Sequence, residues 1–535
     1  MSQRFRATNG HLLGLAVLAA AFFYLVEYPL WHTDIWAHAK YGEAYLNHGF
    51  FKQEPLSQYT DKDAPFAHVA WLSQVLYFKL YQWGSSFGGD SPASQLHHGA
   101  EALRVFHFLL LIARFTLIWL TFRRFGGSSS WAAVCLGLYI LAVGIGSAIQ
   151  RPQAFGLFYM TLLLYALSSP KFSRKWLVIL PLMFGLWANM HGTFVVGLAV
   201  LGLHTLGRAF ERGFTDGEVK KLVLVGALAF LATMVNPHGP MLYWHVANFS
   251  KHPNLKTMTE WHPMKFQAGG GSHWPYIMSL VLLGFIWFLG RRKVGAAGWL
   301  VAMPFVLWPW WQERSLLWWW AIAMWLLARL GPGLGERFAT LPSFPEGEAR
   351  RWKFVTAMAG LAICVLVLWV KPFEPAVARV YNLSRLSQGT PFAAALTLAA
   401  PDQFPGSVQT KLREEIDRQF PDGKFKGVIF ASETQGDFLV WALPQDVMPV
   451  TLFTHAHVFG KQHWDDCLDV KAGEPNSLDT LKRLDARLLI VETDTHAALC
   501  QIIRDSPDWA VVVDEVPPPH PAGEIRHEKF IAVRK

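Results

Sequence analysis

A few ionisable side chains in this sequence have the chemistry of group transfer. Asp34 lies four residues before His38, and a carboxylate within hydrogen-bond reach of a hydroxyl can act as a general base. Arg151 and Arg314 stand between apolar segments, and the planar guanidinium binds a phosphate well through its fixed set of donors. Glu260 is a candidate second acid or metal ligand. Together these residues predict a reaction in which Asp34 activates an acceptor hydroxyl and an arginine stabilises a departing phosphate.

Asp34 opens the polar and aromatic stretch that joins the first apolar segment to the next, with His32 just before it. The end of this stretch, residues 69–83 (VAWLSQVLYFKLYQW), is short for a membrane span and carries Lys79 in its interior. Its apolar residues recur at helical spacing, with Ser73 and Gln74 between them. This pattern predicts a helix that lies in the membrane interface instead of crossing it.

The composition indicates a membrane domain followed by a soluble one. Of 535 residues, 52% are hydrophobic and only 16% charged, whereas soluble chains average about 25% charged residues. The apolar excess lies before residue 372, so we predict a transmembrane domain (1–371) with an outer loop (31–102), a connector (372–425) and a soluble α/β domain (426–535). The eleven predicted spans are residues 11–30, 103–122, 131–149, 154–168, 175–190, 192–208, 219–236, 274–290, 296–311, 314–330 and 353–371.

The net charge of +9 comes largely from basic residues in short loops between these segments. We attribute it to membrane orientation and not to nucleic-acid binding. The clusters fall on one side of an eleven-span model, which predicts a cytoplasmic N-terminus and a C-terminal domain outside. They lie at residues 4–6, 123–124, 171–175, 208–221, 291–293 and 337–353.

The opposite side collects most of the unusual polar residues. Each alone has an ordinary explanation, because Asn-Pro ends helices and a lone histidine often only forms a hydrogen bond at a helix end. Six helix ends with polar groups at one level nevertheless predict an aqueous cavity. Asp34 and His38 are also candidate ligands of a divalent metal ion, although the dispersed residues have no ligand spacing. The candidate substrate-binding residues are His38, Arg151, Asn189, His191, Asn236, His238, His262 and Arg314.

The C-terminal domain shows alternating strand and helix patterns, which predict a small sheet covered by helices. We expect strands at 427–431, 448–453, 487–491, 509–514 and 526–533, the last at the edge, and helices from 436 and at 477–486 and 497–504. The cluster His455, His457, His463, Asp465 and Asp466 predicts a solvated loop, with a metal or sugar site as the alternative. Cys467 and Cys500 can form a disulfide if the domain lies in an oxidising compartment.

An acid just after the first span, in a long outer loop with an interfacial helix, resembles the GT-C superfamily of polyprenyl-phosphate-dependent glycosyltransferases. This superfamily includes protein O-mannosyltransferases and the aminoarabinose transferase of lipid A. A poorly characterised group of related bacterial membrane proteins is more similar still. The shared elements are D-x-W-x-H at Asp34–His38, W-L-S-Q-V at Trp71–Val75, R-P-Q at Arg151–Gln153, N-x-H-G at Asn189–Gly192, N-P-x-G at Asn236–Gly239 and E-W-x-P at Glu260–Pro263.

The resemblance implies a GT-C fold in a bacterial inner membrane, with a periplasmic C-terminal domain. It also implies transfer of a sugar from a polyprenyl-phosphate donor to a glycan, lipid or protein. The group usually has His-Glu before Trp-Leu, where this chain has Val69 and Ala70. That departure keeps open a non-catalytic scaffold that binds envelope proteins; a transporter is a third alternative.

Overall fold

The computed structural model describes residues 9–26, 34–60, 66–90, 92–126, 128–148, 150–169, 171–265, 273–290, 292–337, 414–415, 417–419, 425–514 and 529–535. The chain forms two compact units. The first contains Met1–Tyr28, Val105–Ala247 and Lys256–Leu383, and the second contains Pro29–Arg104, Asn248–Leu255 and Ser384–Lys535. The predicted span 353–371 and His32 lie outside the described residues, as does almost all of the connector.

Apart from α10 (Met241–Phe249), the helices of the first unit match the remaining predicted spans in position. Most of the differences are of a few residues at the ends. The exception is α4 (Pro92–Arg124), whose 33 residues extend well before the predicted start at 103. The helices are α1 (Asn9–Val26), α4 (Pro92–Arg124, here from Val105), α5 (Ser129–Ala148), α6 (Gln153–Leu167), α7 (Trp176–Met190), α8 (Phe194–Arg212), α9 (Gly217–Ala232), α10 (Met241–Phe249, to Ala247), α11 (His273–Leu289), α12 (Ala296–Leu307) and α13 (Leu316–Arg337).

Basic loops meet at one end of these helices. Arg124, at the end of α4, donates a hydrogen bond of 2.7 Å to the carbonyl of Tyr165, near the end of α6. In the loop that follows α6, the N–H of Phe172 donates to Glu218 at the start of α9 (2.7 Å). Three of the basic clusters, at residues 123–124, 171–175 and 208–221, therefore lie together as the charge pattern predicts. The assignment of this end to the cytoplasm stays a prediction.

Large apolar side chains on several helices of this unit face outward. Leu182 of α7, Leu231 of α9 and Phe288 of α11 are 65%, 58% and 73% exposed. Among the described residues, 94–124 and 194–212 form helices long and apolar enough to cross a membrane, and several shorter helices are also apolar. Exposed apolar surface of this kind marks contact with lipid or with a partner, so it agrees with the predicted membrane domain.

The second unit joins the outer loop to the C-terminal domain. Its helices are α2 (Ile35–His48), α3 (Trp71–Ser85), the start of α4, α14 (Glu433–Ala442), α15 (Lys461–Ala472), α16 (Ser477–Arg483) and α17 (Ala497–Asp505). Trp36 of α2 packs edge-on against Phe438 of α14, with 5.3 Å between ring centroids, and also contacts Trp441. The division drawn from composition differs from this one, because it assigned the loop by its neighbours in sequence.

α3 is a helix, as predicted, and it packs closely on α2. A Cβ atom at Gly42 would lie 2.1 Å from the carbonyl oxygen of Gln74, so only glycine permits this approach. The buried face of α3 includes Ser73, Gln74 and Tyr77. Ser73 and Gln74 therefore lie on the buried face of the helix, whereas Lys79, Gln82 and Trp83 are exposed.

The sheet has the strand order β1-β2-β4-β3, with β1 (Val428–Ala431) parallel to β2 (Ala486–Glu492) and β4 (Lys529–Arg534) antiparallel to its neighbours. β3 comprises Trp509–Asp514. The prediction of an edge position for the last strand is wrong. Phe530 to Val533 are fully buried between β2 and β3, and such a continuous apolar run is typical of a central strand.

Two further local predictions are wrong. Residues 448–453 form only an isolated bridge between Val450 and Ile429, because Pro449 has no N–H to donate to a ladder. Residues 461–472 form α15, where a solvated loop was expected. Trp464, Cys467 and Val470 recur every three residues on its buried face, which is a helical period.

Cys467 and Cys500 are free, buried thiols, so the conditional disulfide is not formed. Burial raises the pKa of the Cys500 thiol to about 12 and raises that of Cys467 as well. Both residues therefore act as small apolar core residues.

Candidate active site

Asp34 and His38 form a pair at the start of α2 in the second unit. Asp34 is the N-cap residue of the helix, where the helix dipole favours a negative charge. His38 lies one turn further along on the same face. Its Nε2 atom is 3.5 Å from Oδ2 of Asp34. The predicted base and its predicted neighbour are thus brought together.

The other nitrogen of the His38 ring faces the protein interior. Nδ1 accepts a hydrogen bond of 2.9 Å from the side-chain amide of Gln74 on α3. An acceptor at Nδ1 places the proton of the neutral ring on Nε2, which faces Asp34. Nε2 of His455 also lies 3.3 Å from Nδ1 of His38. Neither Gln74 nor His455 was predicted from the sequence to lie at this site.

Glu260 joins two arginines in the first unit. Its Oε1 accepts a hydrogen bond of 2.7 Å from Arg314, and its Oε2 accepts one of 3.1 Å from Arg151. Arg314 also donates to Oε1 of Gln153 (3.0 Å), and its guanidinium lies over the Trp261 ring, 5.5 Å from the centroid. The R-P-Q and E-W-x-P elements and the Arg314 segment therefore converge on one cluster.

Short segments around helix ends hold this cluster in place. Glu260 lies in a 3₁₀ turn, Thr259–Trp261, and Arg314 in another, Glu313–Ser315. The N–H of Glu313 donates to the carbonyl of His262 (2.9 Å), which ties the two turns together. The side chain of His262 itself bonds the carbonyl of Lys256 through Nε2 (2.6 Å). This contact gives His262, a predicted substrate-binding residue, a role in shaping the loop.

The cluster has the charge balance of an anion site. Two guanidinium groups and one carboxylate leave a net charge of +1. Each guanidinium carries its N–H donors in a planar fork, a geometry that suits phosphate oxygens. The side chains of Arg151, Arg314 and Glu260 are 25%, 23% and 33% exposed, so solutes can reach them. The arrangement can bind a phosphate group while Glu260 holds the arginines in place.

The predicted residue Asn189 ties the end of α7 to the end of α9. Its side-chain amide donates to the carbonyls of Gly185 (2.8 Å) and Val235 (2.7 Å). His191 follows α7, and its Nδ1 lies 2.9 Å from the hydroxyl of Thr193. These bonds give both residues structural roles at the helix ends.

Asn236 and His238 form the turn after α9. Oδ1 of Asn236 accepts from the N–H of His238 (2.8 Å), and its amide donates to the carbonyls of Thr233 and Gly239. The His238 ring lies 4.4 Å from that of His245, centroid to centroid. Desolvation and the neighbouring His245 lower the pKa of His238. Because Asn189 donates to the carbonyl of Val235, just before this turn, the turn and Asn189 lie at the same end of the unit.

The divalent metal ion predicted from the sequence stays a prediction. The described residues bring together no group of three or more histidine, cysteine, aspartate or glutamate side chains that can hold one. Both oxygens of Glu260 bond guanidinium groups. Nδ1 of His38 contacts Gln74 and His455. We therefore derive no step through a metal.

Glu54, in the loop after α2, is an acid that the sequence analysis missed. Oε2 accepts a hydrogen bond from the hydroxyl of Tyr41, and Oε1 accepts one from the N–H of Leu56, both of 2.8 Å. Desolvation raises the pKa of Glu54 to about 7. Nothing in its local sequence distinguishes it from an exposed loop acid.

No protein-family model and no curated protein matches the chain. Among solved structures, the chain is similar to the oligosaccharyltransferase of Archaeoglobus fulgidus with a tethered acceptor peptide, at 12% identity and a TM-score of 0.56 over 91% of this chain and 70% of that one. AglB from the same organism, in complex with an inhibitory peptide and a dolichol-phosphate, matches at 11% identity and a TM-score of 0.53, with the same coverage of both chains. ArnT from Cupriavidus metallidurans matches at 13% identity and a TM-score of 0.45, over 97% of each chain. The chain therefore has a GT-C-like fold, as the sequence resemblance predicts.

Proposed function

We propose that the protein is a membrane glycosyltransferase that uses a polyprenyl-phosphate-linked sugar donor. One observation carries the proposal: Arg151 and Arg314, far apart in sequence, converge on Glu260 at the end of the helices opposite the basic loops. The archaeal AglB structure to which this chain is similar contains a bound dolichol-phosphate. A lipid phosphate is a ligand of the same chemistry as the one that the arginine pair suits.

The proposed reaction assigns one role to each cluster. An acceptor oxygen forms a bond to the anomeric carbon of the sugar, and the bond from that carbon to the phosphate oxygen breaks. Asp34 takes the proton of the acceptor hydroxyl, and His38 stabilises its carboxylate through the Nε2 proton. Arg151 and Arg314 stabilise the negative charge that develops on the leaving polyprenyl phosphate. The acceptor is a glycan, lipid or protein on the outer side of a bacterial inner membrane.

The Asp34→Asn variant tests the chemical role. Asparagine keeps the size of the side chain and removes the base, so transfer from a panel of polyprenyl-phosphate-linked sugars should fall by at least about 100-fold, while folding is retained. Glu43→Gln is the matched control, because Glu43 is an acid of the same helix that pairs with Lys40 and contacts no site residue. Full transfer by Asp34→Asn would remove Asp34 from the role of base.

One observation favours a second candidate, a non-catalytic scaffold for envelope proteins. Ala70 replaces the glutamate of the resembling group, and it immediately precedes α3, where its carbonyl accepts from the hydroxyl of Ser73 and the N–H of Gln74. The scaffold predicts no transfer by the wild-type protein. It also predicts that an envelope protein co-purifies stably with the chain, and that the Asp34→Asn substitution does not affect this binding.

A further inference from the structure

We propose that His455, from the C-terminal domain, is a positioning residue for the Asp34–His38 pair. This inference rests on the proposed function and gives the C-terminal domain a part in positioning the reacting groups. Nε2 of His455 lies 3.3 Å from Nδ1 of His38, and the two rings meet edge to face with 4.4 Å between their centroids. Both histidines are buried, at 9% and 8% exposure. A contact this close between buried rings limits how the His38 ring can turn.

The segment that carries His455 is fixed by bonds on both sides. Asn254 donates to the carbonyls of Ala456 and Phe459, each at 2.9 Å. Asp437 of α14 accepts a hydrogen bond of 3.0 Å from the hydroxyl of Thr454. Residues 454–459 are therefore held by two other parts of the second unit, and His455 is presented to His38 at a defined place.

The two contacts at Nδ1 have one consequence for the opposite side of the ring. Gln74 donates to Nδ1, and His455 closes the same edge of the ring. With that edge fixed, Nε2 and its proton stay directed at Asp34. The Tyr41 ring packs edge to face against the His455 ring, with 5.3 Å between their centroids, and helps to hold it in place. His455 thus acts on Asp34 through His38 and needs no contact with substrate.

Three variants test the role by activity. His455→Ala should lower kcat by about 10- to 100-fold, since misplacement of a catalytic group by ~1 Å costs this much, and should leave KM for the lipid-linked donor unchanged. His455→Gln, whose amide can reach the same position, should restore most of the rate. His463→Ala is the matched control. It removes a largely buried histidine of the same domain that stacks on Tyr59 and does not contact His38.

A second measurement keeps the two proposals distinguishable. The ¹⁵N chemical shifts of the His38 ring, assigned by their loss in His38→Ala, report which nitrogen carries the proton. We expect the Nε2-protonated form in the wild-type protein and in His463→Ala, and a mixture of both forms in His455→Ala. If wild-type protein transfers no sugar, the proposed function fails and the reaction role of His455 fails with it, although the spectra still report the contact. If wild-type protein transfers sugar and His455→Ala matches His463→Ala in both measurements, the inference alone is overturned.

Discussion

Glu54→Gln removes a carboxyl group whose ionisation opposes folding of the second unit. Tyr41 and Leu56 donate one hydrogen bond to each oxygen, and glutamine can keep both by donating its amide to the tyrosine oxygen. Desolvation raises the pKa of Glu54 from 4.5 to about 7. The folded protein therefore holds a proton on this residue over a pH range in which the unfolded chain has lost it.

The size of the effect follows from that difference. A rise of roughly 2.5 pKa units corresponds to about 3 kcal/mol against the ionised form. Because Glu54 keeps part of its surface exposed, screening by solvent reduces the expected penalty to about 1–3 kcal/mol. The folded pKa lies above the unfolded one, so this contribution to stability is complete below about pH 4.5. It declines as the pH rises towards 7, and the full penalty persists above that pH.

Two measurements check this prediction. In infrared spectra, the carboxylic-acid band that disappears in Glu54→Gln should titrate with a midpoint near pH 7. The thermal stability of the wild-type protein should fall from pH 5 to pH 8 more steeply than that of Glu54→Gln. Glu43→Gln should behave as the wild type. A band that titrates near the ordinary pKa of glutamate, or equal pH dependence in all three proteins, would refute the reasoning.

Two further predictions concern the packing of the C-terminal domain. Gly436→Ala should destabilise the domain by about 1–3 kcal/mol or prevent its folding, because the new Cβ would lie 1.7 Å from the carbonyl oxygen of Leu452. Gly460→Ala, whose Cβ meets no atom within 4 Å, should have little effect in the same thermal scan. Asn254→Ala removes two bonds to backbone carbonyls, so proteolysis within residues 454–460 should become faster while the sheet remains folded; unchanged proteolysis would show that those bonds do not hold the segment.

The sequence predicted much of the helical part of the fold because long apolar runs determine where such helices lie. It also predicted that Arg151, Glu260 and Arg314 share one level, since loops alternate between the two ends of consecutive helices. The pattern of residues could not show that both arginines bind the same glutamate. That contact depends on how helix ends that are distant in sequence pack together, and the spacing of apolar residues in the sequence does not reveal such packing.

The contacts within the second unit could not be predicted from the sequence for the same reason. His455 is 417 residues away from His38, and the polar cluster that it begins was interpreted as a solvated loop. The outer loop and the C-terminal domain join through Trp36 and the aromatic residues of α14, whereas composition alone groups the loop with the preceding helices. Asn189 and Asn236 were interpreted as substrate contacts. In the structure both form hydrogen bonds with the backbone of adjacent turns, and their role in substrate binding stays a prediction.

The central claim is that the arginine pair binds the phosphate of a lipid carrier. The most direct test measures the affinity of the purified full-length protein in lipid nanodiscs for undecaprenyl phosphate. Arg151→Gln removes one charge-assisted contact, worth about 1.5–3 kcal/mol, and should weaken binding by about 10- to 150-fold. Arg208→Gln is the control, since Arg208 forms a similarly exposed pair with Glu211 among the basic residues at the end of α8. Equal losses in both variants, or no binding by the wild-type protein, would contradict the claim.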